Sequence, residues 1–364
     1  MLIKIPFYAK FALFFIALFG FIAVMYVGQQ IIIPVVFATI VAILLNPVVN
    51  FLVNKRINKT IAIFIAVILA LTILLFIFYI IAAQMSMFTE TYPALKIKMT
   101  QTSNDLVQWA SNKFNINPIK INNWLKANQT DAIENIAIGE KITAVGSVLL
   151  MTLLFPVYVF LILFYKTLLL EFIRRLVKSE YHSTVADILL NTKNIIQSYL
   201  VGLFFEMLIM AVLNSVGLLL LGIPYAIILG ILGAILNIVP YIGGIIAIAL
   251  PMLIAYVTKD SYTYPLMVLV IYIAIQFIDN HYLIPHIVAK RVKINALVSV
   301  IVVLIGGELW GISGMFLSIP IIAILKVIFD HIDDLKPYGY LLGNIVPVVR
   351  KPFFKKNELP KIAT

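Results

Sequence analysis

Seven polar residues interrupt the apolar stretches of this sequence, and their side chains are of types that bind protons or small cations. They are Glu206, Asn214, Asn237, Gln276, Asp279, Asn280 and Glu308. A carboxylate inside an apolar helix is unfavourable unless it is protonated, paired or in contact with a water-filled cavity. The set therefore predicts a polar path among apolar helices, with H+ or Na+ as the ion that binds there.

The acids also have simpler interpretations, and the sequence alone does not exclude them. Glu206 could make an interhelical hydrogen bond or an ion pair with Lys326, and Asp279 could cap a helix end at the membrane interface. Glu308 lies among glycines in "IGGELWGISG". That pattern favours a helix break, where free backbone amides and a carboxylate would line a cavity.

The composition predicts an all-α, polytopic membrane protein. Of the 364 residues, 63% are hydrophobic and 12% are charged, whereas soluble domains have about 25% charged residues. Several apolar runs exceed the roughly 18 residues that mark a membrane span. The net charge of +11 is explained by basic loops near anionic lipid, so we expect the bilayer, and no nucleic acid, as a partner.

Nothing in the sequence predicts an enzyme, a cofactor or a resident metal. The chain has no cysteine, and it contains no Walker, GxSxG or HExxH motif. His281 and His286 are five residues apart with Pro285 between them, so they do not share a helix face as metal ligands would.

Hydropathy predicts six simple spans, at about 11–28, 31–53, 61–83, 142–165, 199–221 and 264–284. The predicted organisation is a three-span region (1–83), a small helical extramembrane insertion (84–141), a fourth span (142–165), an amphipathic interfacial segment (166–198), a transport core (199–330) and a basic tail (331–364). The positive-inside rule places both termini in the cytoplasm and the insertion outside.

Two further regions, 223–257 and 294–329, are too long for one span and are rich in helix breakers. A straight helix of either length would be about 50 Å long, against a hydrocarbon core of about 30 Å. Their breakers and turn residues are Pro240, Tyr241, Gly243, Gly244 and Pro251 in the first, and Gly306, Gly307, Gly311, Gly314 and Pro320 in the second. If each region turns back, all the basic clusters fall on one side, so we predict two broken or re-entrant hairpins.

The two predicted hairpins also resemble each other. "YIGGIIAIALPMLIA" from Tyr241 aligns without gaps to "WGISGMFLSIPIIAI" from Trp310, with an aromatic residue first and a proline ten positions later. A single span separates them, so the two would enter the membrane from opposite faces. That arrangement is typical of the inverted repeats of secondary transporters.

Four ordered motifs resemble the autoinducer-2 exporter family of bacterial membrane proteins. They are "YLVG" (199–202), "LGIPYAIILGILGAILNIVPYIGG" (221–244), "IDNHYLIPHIVAKRV" (278–292) and "LIGGELWGISGMFLSIPIIAILKVI" (304–328), and "LLNPVV" (44–49) fits as well. The resemblance implies an inner-membrane transporter, usually counted as eight spans, which assembles as a homo-oligomer, with a pentamer among the allowed forms.

The resemblance leaves the transported substrate open. It implies an exporter of a small molecule or ion, driven by a proton or sodium gradient, and the Na+(Li+)/H+ antiporters of the family are the alternative. A scaffold or channel-like assembly that uses 84–141 as its binding module is the alternative of a different class.

Overall fold

The computed structural model describes residues 6–114, 117–119, 154–239, 242–259, 261–289 and 294–344. Within these ranges the chain is helical, and its strand-like pairing is confined to one isolated bridge between Ile294 and Gly343. The predicted all-α class is confirmed. Pro240, Tyr241, residues 120–153 of the insertion and fourth span, and the tail after 344 lie outside the described residues.

The helices, in chain order, are α1 (Phe7–Val27), α2 (Gln29–Asn54), α3 (Lys59–Phe114), α4 (Leu154–Phe164), α5 (Lys166–Leu176), α6 (His182–Leu220), α7 (Ala226–Asn237), α8 (Ile242–Thr258), α9 (Thr263–Ile278), α10 (Ala296–His331) and α11 (Lys336–Leu342). Short 3₁₀ turns cover Ser179–Tyr181 and Asp333–Leu335, and a π-helix covers Asp279–Ala289.

Six segments of this structure are long and apolar enough to cross a membrane, and the pair α4–α5, bent by 62°, is a seventh candidate. Helices suit this role because every backbone group inside the bilayer must find its hydrogen-bond partner within the protein. The apolar side chains point outward accordingly, and α1 has no buried residue at all.

Two helices run past their predicted ends. Helix α3 continues through residue 83 to Phe114, so the described start of the insertion extends the third span. Helix α6 begins at His182, so only α5 and a 3₁₀ turn stand apart in the segment predicted to be interfacial (166–198). The sequence offers nothing that would end either helix earlier, since 182–201 lacks Gly and Pro and 59–114 has Pro93 alone.

The helix ends form two opposite faces of the bundle. One face, called here the basic end, carries Lys59, Lys166 and Lys193, and there Lys59 Nζ donates to the Phe164 carbonyl at 3.1 Å. At the other face, called the opposite end, Trp310 Nε1 donates to the Met25 carbonyl at 3.0 Å. These contacts fix the direction in which each helix runs.

Helices α7 and α8 form the first hairpin, since α7 ends at Asn237 and α8 begins at Ile242. The two arms approach closely beyond the break, because a Cβ added to Gly243 would overlap the Leu236 carbonyl. Pro251 lies buried within α8. Since α8 ends and α9 begins at the opposite end, the tip of this hairpin points toward the basic end.

Helix α10 is itself a second hairpin, with arms 296–309 and 312–331. Gly311 has φ 60° and ψ −141°, a conformation that favours glycine, and it reverses the chain together with Trp310. Ser318 Oγ then lies 2.8 Å from the Val302 carbonyl, whereas sixteen residues of straight helix would span roughly 24 Å. Both predicted fold-backs are thus present in the structure.

The second hairpin is closed at its base, at the basic end. Asn295 caps α10 by accepting from the Val298 amide at 2.8 Å, and its Nδ2 donates to the Leu341 carbonyl at 2.7 Å. Its two arms each pass from one end of the bundle to the other. With α10 counted as one segment, the described residues hold six candidate spans and a bent seventh, whereas the resemblance implies eight.

The extension of α3 holds the last turn of α8. Lys98 Nζ donates to the Lys259 carbonyl at 2.8 Å and lies 5.3 Å from the Tyr256 ring centre, and the Thr102 and Tyr256 hydroxyls share a hydrogen bond. A cation at a helix C-terminus satisfies free carbonyls and opposes the helix dipole. This contact anchors the first hairpin from outside the span.

We expect Lys98→Met to lower the free energy of unfolding by about 1–2 kcal/mol, because it removes a charged hydrogen bond to a helix end. Thermal unfolding of the purified protein measures the loss. Lys113→Met, an exposed change on the same helix, is the matched control. Equal losses in the two variants would contradict the anchoring role of Lys98.

Candidate functional site

Helix α6 places Glu206, Met210 and Asn214 on one buried face, since they are spaced by four residues. Met210 packs with Ala234 of α7 and Ile275 of α9. The polar side chains of α6 are thereby held among apolar neighbours, facing the first hairpin and α9.

Helix α9 directs a second polar face toward the same place. Tyr272 is buried, Gln276 follows one turn later, and Asp279, with 0% of its surface exposed, begins the π-helix. π-Helical geometry is rare and is frequently found at functional sites. The wider helix begins at the buried carboxylate.

The tip of the first hairpin completes the arrangement. Asn237 Nδ2 donates to Asp279 Oδ2 at 3.1 Å, and Gln276 Nε2 donates to the same oxygen at 3.2 Å. Gly244 packs against both amides, since an added Cβ would lie 3.4 Å from Gln276 Oε1 and 3.5 Å from Asn237 Oδ1. The start of α8 therefore rests on the side chains that hold Asp279.

Glu206, Asn214 and Tyr272 adjoin this group. Glu206 lies one turn before Met210, which packs against Ile275, one turn before Asp279. A Cβ added to Gly233 would lie 3.4 Å from both Asn214 Nδ2 and the Tyr272 hydroxyl. We call Glu206, Asn214, Asn237, Tyr272, Gln276 and Asp279 the polar cluster.

The polar cluster contains oxygen atoms that lack hydrogen-bond partners. Among the residues that the structure describes, five buried side-chain oxygens are unpartnered, and four of them belong to the cluster: Glu206 Oε2, Asn214 Oδ1, Tyr272 Oη and Asp279 Oδ1. Unpartnered buried acceptors are costly, as are two carboxylates in an apolar setting. A bound proton or small cation would relieve both costs.

The number of acidic ligands favours a proton or a monovalent cation. The cluster has two carboxylates, and the described part of the chain holds no group of three His, Cys, Asp or Glu suited to a metal ion. The remaining oxygens are neutral amide and hydroxyl groups. A proton or Na+ matches this charge better than a transition metal would.

The structure leaves two predicted site residues outside the cluster. Glu308 is exposed near the turn of the second hairpin, and Asn280 is exposed although Asp279 beside it is buried. Lys326 pairs with Asp330, so it is not the partner of Glu206. The glycines of the second hairpin do not line the polar cluster. They allow its two arms to pack closely and its chain to reverse.

Tyr272 was missed by the sequence analysis. Its spacing of four residues from Gln276 and seven from Asp279 places it on the same helix face. A lone tyrosine in an apolar span resembles an ordinary core residue. Only its position beside Gly233, close to Asn214, places Tyr272 in the polar cluster.

A cavity of about 400 Å³ lies between the polar cluster and the basic end. Its lining includes Pro47 of α2, Gln197 and Phe205 of α6, and His286 of the π-helix. Phe205 precedes the buried Glu206 in α6 and is itself exposed, and His286 lies seven residues after Asp279, so neither carboxylate lines the cavity.

We expect Tyr272→Phe to raise the free energy of unfolding by about 1–2 kcal/mol in sodium-free buffer, because it removes a buried hydroxyl that has no partner. Thermal unfolding provides the measurement. Tyr262→Phe alters an exposed tyrosine and should leave stability unchanged. A lower stability for Tyr272→Phe would show that the hydroxyl is partnered in the folded protein.

Together, the candidate spans, the two hairpins and the buried polar cluster define a polytopic helical membrane protein. Residues 14–334 match the family described as AI-2E family transporter, and the chain belongs to that family. The family assignment agrees with the resemblance seen in the sequence motifs.

Relatives with provisional transport names align with parts of the chain. YrrI of Bacillus subtilis, provisionally named a transport protein, is 28% identical over 255 residues, which is 69% of each chain. YueF of the same organism, similarly named, is 28% identical over 158 residues, covering 43% of this chain and 42% of its own. PerM of Escherichia coli, provisionally named a permease, is 25% identical over 181 residues, covering 50% and 51%.

Proposed function

We propose that this protein exports a small molecule or ion across the bacterial cytoplasmic membrane and that H+ or Na+ bound in the polar cluster drives the export. The four unpartnered buried oxygens of the cluster carry this proposal. The basic end, in this view, faces the cytoplasm, as the positive-inside rule requires.

Ion binding is coupled to movement through the tip of the first hairpin. Asn237 reaches Asp279 from that tip, and Gly244 packs on the amides that hold Asp279. A proton or sodium ion on Asp279 changes the strength of these hydrogen bonds, because a charged acceptor binds an amide more strongly than a neutral one. The ion thereby biases the position of the hairpin between two states.

A Na+(Li+)/H+ antiporter is the second candidate. The two neighbouring carboxylates favour it, because a sodium ion and a proton that use the same oxygens displace each other. Under this proposal the transported ion and the coupling ion share the polar cluster.

Vesicle flux tests both proposals. The purified protein is reconstituted into liposomes that contain a pH-sensitive dye, and sodium or lithium is added outside. We expect proton movement that saturates with sodium and is absent from protein-free liposomes. If neither a sodium nor a pH gradient drives any flux, both the coupled exporter and the antiporter are wrong. Sodium-dependent proton movement without any other cargo favours the antiporter.

We also propose a homo-oligomer, supported by the family resemblance. Mass measurement in lipid nanodiscs tests it, because each additional subunit adds 40.8 kDa. A single-subunit mass under all lipid conditions would overturn this proposal and leave the transport proposal intact.

A further inference from the structure

Three lysines gather around Asn46 of α2, toward the basic end. Lys166 Nζ donates to Oδ1 of the buried Asn46 at 2.9 Å. Lys59 Nζ contacts the carbonyl of Phe164, two residues before Lys166. Lys193 lies one helical turn before Gln197, which donates to the Ile43 carbonyl three residues before Asn46. Helices α3, α5 and α6 thus bring one ammonium each to the same place.

No described carboxylate offsets these charges. The four ion pairs within the described ranges join Glu171 to Arg174 and Arg175, Asp330 to Lys326, and Asp333 to Lys336. Like charges held together are unfavourable, and an anion between them reverses the sign of that interaction.

The lysines also keep unused hydrogen-bond donors. Each ammonium has three N–H groups. Lys166 uses one on Asn46, and Lys59 uses one on the Phe164 carbonyl. The other donors are free to contact a ligand with several acceptor oxygens.

Residues close to the lysines along α2 and α6 line the cavity of about 400 Å³, although none of the three lysines does. Lys193 precedes Gln197 by one helical turn, and Gln197 lines the cavity while donating to the Ile43 carbonyl at 2.6 Å. Pro47, next to Asn46, lines it as well. An anion held by the lysines would therefore lie beside this cavity, which leads along α6 to Phe205.

We propose that Lys59, Lys166 and Lys193 form a binding site for an oxyanion of the phosphate class. Three positive charges match a phosphate group, which is carried by free phosphate compounds and by phospholipid headgroups alike. This site is separate from the polar cluster, and its ligand does not depend on which ion binds there.

Thermal unfolding in an uncharged, phosphate-free detergent tests the site with free anion. Inorganic phosphate is titrated against chloride at equal ionic strength. We expect saturable stabilisation of the parent protein and an apparent affinity weaker by about tenfold in Lys193→Gln, which loses one charge–hydrogen bond contact to the anion. Lys193 makes no ion pair with any residue that the structure describes, so this variant is expected to fold.

A second arm identifies the source of the phosphate group. The protein is placed in nanodiscs of phosphatidylcholine alone or with phosphatidylglycerol added, and its unfolding temperature is compared. Stabilisation by free phosphate assigns the site to a soluble anion, and stabilisation by phosphatidylglycerol alone assigns it to a headgroup. In both cases the triple variant Lys59→Gln, Lys166→Gln, Lys193→Gln must lose the response.

A charge-matched control separates the site from general surface charge. Lys10→Gln, Lys55→Gln and Lys178→Gln together remove three exposed lysines and should retain the response. The proposal is overturned if neither phosphate nor phosphatidylglycerol stabilises the parent protein. It is also overturned if Lys193→Gln and the control variant respond as the parent does.

Discussion

Asp279→Asn is expected to weaken binding of the coupling ion about 10- to 100-fold and to abolish gradient-driven flux, because it removes the charge on which the Asn237 and Gln276 amides converge. In sodium-free buffer the variant should be at least as stable as the parent, since a buried charge beside Glu206 is lost. Flux into liposomes and sodium-dependent thermal unfolding are the two measurements.

Asp334→Asn, which alters an exposed acid outside the polar cluster, is the matched control and should behave as the parent. A double-mutant cycle with Glu206→Gln then measures the coupling of the two carboxylates. Normal sodium dependence in Asp279→Asn would remove the polar cluster from the coupling mechanism, whatever the flux of the other variants.

Gly314→Ala is expected to lower the free energy of unfolding by about 3 kcal/mol, because the added Cβ overlaps the Gly306 carbonyl across the second hairpin. Both atoms are tied to backbone, so relief requires the two arms to separate. Unfolding temperature and the fraction of monodisperse protein on gel filtration report the loss.

Gly20→Ala makes the same chemical change where no atom lies within 4 Å of the added Cβ. We expect it to raise stability by about 0.5–1 kcal/mol, because alanine favours a helix more than glycine does. If the two variants have similar unfolding temperatures, the arms of the second hairpin do not pack as the structure describes.

The sequence predicted the features that depend on local chemistry. Charge parity and the glycines of 294–329 predicted that the chain turns back there, and the reversal occurs at Trp310 and Gly311. The aligned Trp310 falls at the second break, and the aligned prolines, Pro251 and Pro320, fall within the two second arms. Glycine and proline positions can be interpreted from the sequence because these residues change the conformation of their own backbone.

The grouping of the polar residues depended on packing and could not be deduced from spacing alone. Asn237 meets Asp279 from 42 residues away because the first hairpin turns toward the basic end. Glu308 had an equally suggestive context, yet its arm carries it to the opposite end. Helix ends were also unpredictable where neither glycine nor proline marks a stop, as at His182.

The closed base of the second hairpin limits how this part of the protein can change shape. Asn295 joins the start of the first arm to the helix that follows the second arm, and the arms are interlocked at Gly306 and Gly314. The two arms of the second hairpin are therefore not expected to separate from each other. Movement of its tip would instead tilt both arms together about the base at Asn295, and α11 would move with them.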